Sequence, residues 1–344
     1  MKKKLLFNEN GSDDISKRKL IGGDTTNLLN LNNTKYKWAN GLYKVMQGNF
    51  WIPEVVPMLN DEKDYKNLTK EEKQAYDETL AFLIFLDSIQ TINLPNIGDY
   101  ITAPEVSVLI AIQTFQEAIH SKSYAHIVES VIPPAHRDKI YGYNMSDKVL
   151  LTRNKFIASI YQDFTDNPSE ETFVKVIVAN YILEGLYFYN GFNFFYSLSA
   201  RNLMSNTADQ IRYIQRDEQT HVALFIHMIK VLQTENPGLV NSSMVYEMFD
   251  EAVNMEIDWC NHILGDKILG ITLKSSEQYT KYLANMRLNA LGFRDLYEEP
   301  EFKVNPYKHL SSQAGEDSEV KANFFEARVT DYSRDNVIDK WEEI

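Results

Sequence analysis

Apolar residues along this chain recur with a helical rather than an alternating period, in long stretches separated by short polar joints. Five segments stand out, near 69–92, 103–131, 168–198, 206–233 and 241–265. Thr69-x-x-Glu72 and Thr102-x-x-Glu105 read as capping boxes, the second with Pro104 in its first turn. Asn167-Pro168-Ser169-Glu170 reads as a cap, a first-turn proline and an acid. Pro95, Pro133-Pro134 and Pro237-Gly238 are expected to end the first, second and fourth segments. Leu80-Ala81-Phe82-Leu83-Ile84-Phe85-Leu86 is apolar all round, as suits a helix at the centre of a bundle. No run of short alternating strands and no internal repeat is visible. The expected fold is therefore all-α. A helical bundle over 31–314 follows a loosely ordered segment, 1–30, and precedes a flexible charged tail, 315–344.

Composition changes this picture mainly by exclusion. Over 344 residues, 35 Lys and Arg face 48 Asp and Glu, a formal charge of −13. That balance lacks the basic footprint of a nucleic-acid binder. The single cysteine, Cys260, offers no disulfide framework, which suits a reducing compartment. The opening lysines precede only Leu5-Leu6-Phe7, too short an apolar run for a signal peptide. No stretch is expected to cross a membrane. A cytoplasmic protein is the expectation.

The candidate chemistry lies on the apolar helices. Glu117-x-x-His120 and Glu218-x-x-His221 each put a carboxylate and an imidazole on one helical face, where they can converge on one ion. One such pair is weak evidence; two on separate long helices say more. Asp87 and Glu184 sit in strongly apolar runs, where a charged carboxylate is costly unless a cation or hydrogen bonds compensate. One acid from each of two helices, plus Glu-x-x-His from each of two others, is the ligand scheme of ferritin-like di-metal carboxylate bundles. Asp87 replaces one of the glutamates. Such a ligand set suits iron or manganese better than zinc. Separate buried ion pairs would be the bland alternative. Tyr124 shares the face of Glu117 and His120, either beside the ions or as a core tyrosine. Phe188, Phe192 and Ile214 stand at helical spacing from Glu184 and Glu218. His126, His136, His227, His262 and His309 have no matching carboxylate set in the sequence and read as surface or core residues.

With these residues in view, the chain from about Lys35 to His309 resembles the small, radical-generating subunit of class I ribonucleotide reductase. Leu86-Asp87-Ser88-Ile89-Gln90, Glu117-Ala-Ile-His120-Ser-Lys-Ser-Tyr124, Glu184-Gly-Leu-Tyr-Phe188-Tyr and Arg216-Asp217-Glu218-Gln-Thr-His221 are similar to that family's four ligand motifs, in order and spacing. The resemblance implies that Asp87, Glu117 and His120 hold one metal and Glu184, Glu218 and His221 the other. It implies two irons, with two manganese ions as the alternative. Tyr124 would become a tyrosyl radical when the reduced cluster meets O2, inside a pocket of Phe188, Phe192 and Ile214. Trp51, within Asn49-Phe-Trp-Ile-Pro53, would start a transfer path through Asp217 to His120; by itself it reads as a packed aromatic. The tail would dock the large subunit, with Tyr332 as its relay tyrosine.

The implied activity is reduction of ribonucleoside diphosphates to deoxyribonucleotides, jointly with a large catalytic subunit. One cysteine cannot form the redox dithiol that step needs, so the substrate site is expected on the partner chain. A homodimer is also implied, as is a flavodoxin-like activase if the metal is manganese. Because Tyr124 and all six ligands are present, the phenylalanine branch with a mixed Mn/Fe oxidant and the metal-free branch are disfavoured. A di-metal oxidase or monooxygenase needs no transfer path. An iron-storage protein uses shorter chains, and a purely structural bundle gives the buried acids no reason.

Overall fold

The computed structural model of the protein describes residues 1–310. Among these residues there are eleven α-helices and no strand. In chain order they are α1 (Trp38–Gly48), α2 (Leu59–Asn67), α3 (Lys70–Gly98), α4 (Pro104–Val131), α5 (Pro134–Ser146), α6 (Lys148–Asp166), α7 (Glu170–Ile182), α8 (Tyr189–Ser199), α9 (Ser205–Glu235), α10 (Ser242–Ile263) and α11 (Leu273–Ala290). The expected all-α bundle is thus the observed one. The tail expected at 315–344, with Tyr332, lies outside the described residues.

The five long segments are all present, with instructive differences at their ends. Thr69 caps α3 as a reciprocal box with Glu72. Pro95, expected to stop that helix, lies inside it. In the last turn a proline costs the ladder one N–H, and the chain goes on until the Asp99 N–H closes on the Pro95 carbonyl at 3.1 Å. The expected box at Thr102 does not form. Helix α4 starts from Ala103 without a side-chain cap. Thr102 instead donates its hydroxyl to the Lys19 carbonyl at 2.8 Å, and Glu105 accepts the Lys35 N–H at 2.7 Å. Both side chains fasten the N-terminal segment to the bundle. That segment has no helix, yet Leu20 and Ile21 are buried, and Ile21 pairs with Ile101. At the third start the cap is Ser169, boxed with Thr172, and Asn167 instead ends α6. Helix α5 begins at Pro134, so the Pro133-Pro134 pair opens a helix as well as closing one.

Helix α3 is long and apolar enough to cross a membrane by length and composition, contrary to expectation. It serves as a core helix, packed against α4, α5, α6 and α10. Its most extensive pairing is with α4; α4 also packs on α9, and α9 on α7. Asp61 of α2 fixes the start of α9. It accepts the Asn206 N–H at 3.1 Å and the Thr207 N–H at 2.6 Å. Those are two of the first-turn donors that the left-handed Met204 (φ 53°) leaves uncapped.

His227 illustrates a packed histidine. Its ring stacks on Trp38 at 4.4 Å, and burial lowers its pKa to about 4. A histidine kept neutral in the fold supports stability above its unfolded pKa, near 6.5, and that support is lost as pH falls toward 4. Thermal melts should show a wild-type deficit of up to about 3 kcal/mol developing across that window. In His227→Phe this component should be missing. Identical pH profiles would remove the assignment.

Candidate metal centre

The ligand candidates project from several stretches of the bundle core: Asp87 from α3, Glu117 and His120 from α4, Glu218 and His221 from α9. Glu184 lies in a π-helical turn, Leu183–Tyr187, between α7 and α8. The sequence reads as one unbroken helix over 168–198, because one extra residue in a turn leaves no mark on the apolar pattern. Such insertions are frequent at functional sites. Gly185 is required here: a Cβ would stand 2.9 Å from Arg287 Nε, which donates to the Gly185 carbonyl at 2.9 Å.

All six side chains are fully buried. They form two overlapping groups, Asp87–Glu117–His120–Glu218 and Glu117–Glu184–Glu218–His221, with ligand atoms in each within 4.8 Å of one another. Glu117 and Glu218 belong to both. His120 Nδ1 lies 3.0 Å from Glu218 Oε1 and 3.5 Å from Glu117 Oε2. Yet none of these three atoms has a hydrogen-bond partner of acceptable geometry, and neither do both oxygens of Asp87 or Oε2 of Glu184. Buried lone pairs that crowd together without partners are the signature of donors aimed at a cation. The residues therefore fit a dinuclear metal centre.

Their electrostatics fit it too. Burial, followed by the Glu117 charge, pushes the carboxyls of Asp87 and Glu184 well above the ordinary range. Against the burial penalty, the imidazoles of His120 and His221 hold Glu218 well below that range. Glu117 is lowered, with His221 and His120 outweighing burial and the Glu218 charge. Both histidines are raised well above 6.5, since the Glu218 charge and contacts with other acids overcome burial. Without metal, Asp87 and Glu184 are thus biased toward their neutral form, and the other two acids and both imidazoles toward their charged forms. Metal ions entering among these groups compete with protons, so low pH opposes loading.

The outer nitrogens of both histidines are occupied. His120 Nε2 lies 3.2 Å from Asp217 Oδ2, which also accepts the Trp51 indole N–H at 2.9 Å. Trp51, Asp217 and His120 are thereby one hydrogen-bonded chain. His221 Nε2 lies 3.0 Å from Gln116 Oε1. A second polar partner of this kind fixes a metal-bound imidazole's tautomer and orientation. Gln113 donates to Glu184 Oε1 at 2.8 Å, and Gln90 donates to the same oxygen while accepting the Tyr161 hydroxyl at 2.7 Å. These three glutamines escaped the sequence reading. Their signal was available: each is an amide on an apolar helix one to four residues from a ligand.

Tyr124 is fully buried, and its hydroxyl makes no hydrogen bond of good geometry, with the Asp87 carboxyl the polar group beside it. Burial, then the charges of Asp87 and Glu218, raise its pKa well above 10. Phe188 and Phe192 stack at 5.4 Å, and both are buried, as is Ile214. An open cavity of about 320 Å³, lined by Phe50, Trp51, Phe115, Gln116 and Asp217 among others, reaches the outer partners of both histidines.

Buried carboxylates and imidazoles converging from core helices on two overlapping points define a ferritin-like di-metal carboxylate protein. Residues 28–306 match the family described as "Ribonucleotide reductase, small chain", and the chain belongs to it. The "Ribonucleoside-diphosphate reductase subunit beta" of Treponema pallidum (strain Nichols) is 43% identical over 341 residues, 98% of this chain and 97% of the relative. Among solved structures, the ribonucleotide reductase R2 subunit from Clostridium botulinum superposes with a TM-score of 0.88 at 44% identity, covering 91% of this chain and 99% of that one. A putative class I ribonucleotide reductase from Bacillus halodurans gives 0.83 at 38% identity, covering 90% and 98%. The chain is accordingly a small subunit of the enzyme that reduces ribonucleoside diphosphates, and it works with a large subunit.

Proposed function

We propose that this subunit generates and stores a radical on Tyr124 and passes it to the large subunit through His120, Asp217 and Trp51. The observation that carries the reading is Tyr124 itself, a phenol sealed from water beside the Asp87 carboxyl and held in the field of Asp87, Glu218 and Glu117. Asp87, Glu117 and His120 would hold one metal ion, and Glu184, Glu218 and His221 the other. Two irons, or alternatively two manganese ions, would supply when bound the one-electron oxidation of a nearby phenol by an oxygen-derived oxidant. The chain's residues do the rest. The raised pKa keeps Tyr124 protonated, so electron and proton leave together. Asp87 is the acid closest in influence to that proton. Phe188, Phe192 and Ile214 keep water from the radical. Trp51 and Asp217 form the hydrogen-bonded exit.

The same reading includes a homodimer in the cytoplasm and docking of the large subunit by the tail 315–344, with Tyr332 as relay. With manganese, a flavodoxin-like activase delivers the oxidant, and the open cavity beside Trp51 supports entry of a small oxidant. Tyr124→Phe is the direct activity test. The variant should bind two metal ions per chain like the wild type, yet lose nucleotide reduction with the large subunit. Retained turnover would overturn the proposal.

A further inference from the structure

His262 was expected to have no carboxylate set, but the fold gives it one. Outside the dinuclear centre, Glu78 of α3, Asp147 at the start of α6 and His262 in the last turn of α10 bring ligand atoms within 4.8 Å of one another. His262 Nε2 lies 2.7 Å from Asp147 Oδ2. The other Asp147 oxygen caps α6, accepting the Leu150 N–H at 2.9 Å, which fixes the carboxylate's orientation. Glu78 forms the inner wall. It is only 4% exposed, and Gln74 donates to its Oε1 at 2.9 Å. Its Oε2 is buried and has no hydrogen-bond partner. A buried carboxylate oxygen left open beside a second carboxylate is costly, and a cation is what removes that cost.

We propose that Glu78, Asp147 and His262 form a second, mononuclear site for a divalent cation of the zinc class, clamping α3, α6 and α10 together. One imidazole nitrogen and two carboxylate oxygens, with water in the fourth position, offer zinc four donors of the types it binds. Zinc–ligand bonds near 2.0–2.2 Å place tetrahedral donors about 3.3 Å apart. The observed separations, 2.7 Å between His262 and Asp147 and up to 4.8 Å within the group, bracket that spacing. The His262 side chain is 38% exposed and that of Asp147 18%, so the ion enters from solvent while Glu78 closes the site from within. Glu78 precedes Asp87 by nine residues on α3, about 13 Å along the helix, so this ion is separate from the dinuclear centre. Its role is to join three helices, one of which carries a ligand of that centre.

The competing arrangement is His262 hydrogen-bonded to the acids without metal. Equilibrium dialysis of the full-length, metal-stripped chain against Zn²⁺, followed by elemental analysis, decides between them. His262→Gln and Glu78→Gln should each hold one zinc fewer per chain than the wild type. Both variants should melt close to wild type without zinc, because His262 is partly exposed and a glutamine keeps the size of the Glu78 side chain it replaces. Zinc-soaked crystals should show an anomalous peak between the three side chains. Equal zinc content in wild type and both variants, or no peak there, overturns the site.

Discussion

Trp51→Phe and Asp217→Asn should each leave the Tyr124 radical at wild-type yield while cutting nucleotide reduction with the large subunit about a hundredfold or more. Phenylalanine removes the only hydrogen Trp51 donates to Asp217 Oδ2. Asparagine keeps the shape of Asp217 but removes the negative charge and the proton-accepting capacity of the group whose Oδ2 meets both the indole and the His120 ring. Proton transfer by a positioned group is worth roughly 10²–10⁴-fold, which sets the scale of the loss. Neither change replaces a proposed metal ligand, so at saturating metal the content should stay at two ions per chain, even though Asp217 is hydrogen-bonded to His120. Radical yield from electron paramagnetic resonance, read beside turnover, separates transfer from generation. Normal turnover in both variants would remove the path.

Glu184→Gln should have a different and equally large effect. In the metal-free chain burial raises the pKa of Glu184 and favours its neutral form, and its Oε1 receives amide hydrogens from Gln90 and Gln113. A glutamine reproduces that neutral shape and keeps an oxygen for both donors. Metal-free wild type and variant should therefore melt within about 1 °C of each other, a difference below roughly 1 kcal/mol for a chain this long. Metal then tells them apart. A ligand present at 100 times its dissociation constant stabilises the folded state by about 2.7 kcal/mol. The variant should lose that increment for at least one ion, along with the radical. A matching metal-induced rise in melting temperature would contradict the role given to Glu184.

The parts of this protein legible in its sequence are those written in local spacing. Glu117 with His120 and Glu218 with His221 are three residues apart, so one helical face was enough to pair them. Asp87 and Glu184 were visible because a carboxylate in an apolar run needs a partner. What stayed hidden depends on tertiary neighbours or on backbone register. The π turn at Leu183–Tyr187 changes the ladder without changing the apolar pattern. Thr102 and Glu105 have the spacing of a capping box, but the segment carrying Arg18, Lys19 and Lys35 competes for them and wins. The partners of His262 come from α3 and α6, more than a hundred residues earlier in the chain, so no local window contains them. The lone cysteine, first a hint about compartment, is buried in α10. That leaves the dithiol chemistry of nucleotide reduction to the large subunit.

The central claim is that six side chains hold two metals so that Tyr124 can become a radical. The metal-free chain is loaded anaerobically with Fe(II) and exposed to O2. In a parallel arm it is loaded with Mn(II) and given an oxidant from a flavoprotein. Electron paramagnetic resonance spectra are recorded for wild type and Tyr124→Phe at equal metal content. Wild type should give a tyrosyl signal in at least one arm, and the variant should give none. No radical with either metal, or a tyrosyl signal that persists in Tyr124→Phe, would contradict it.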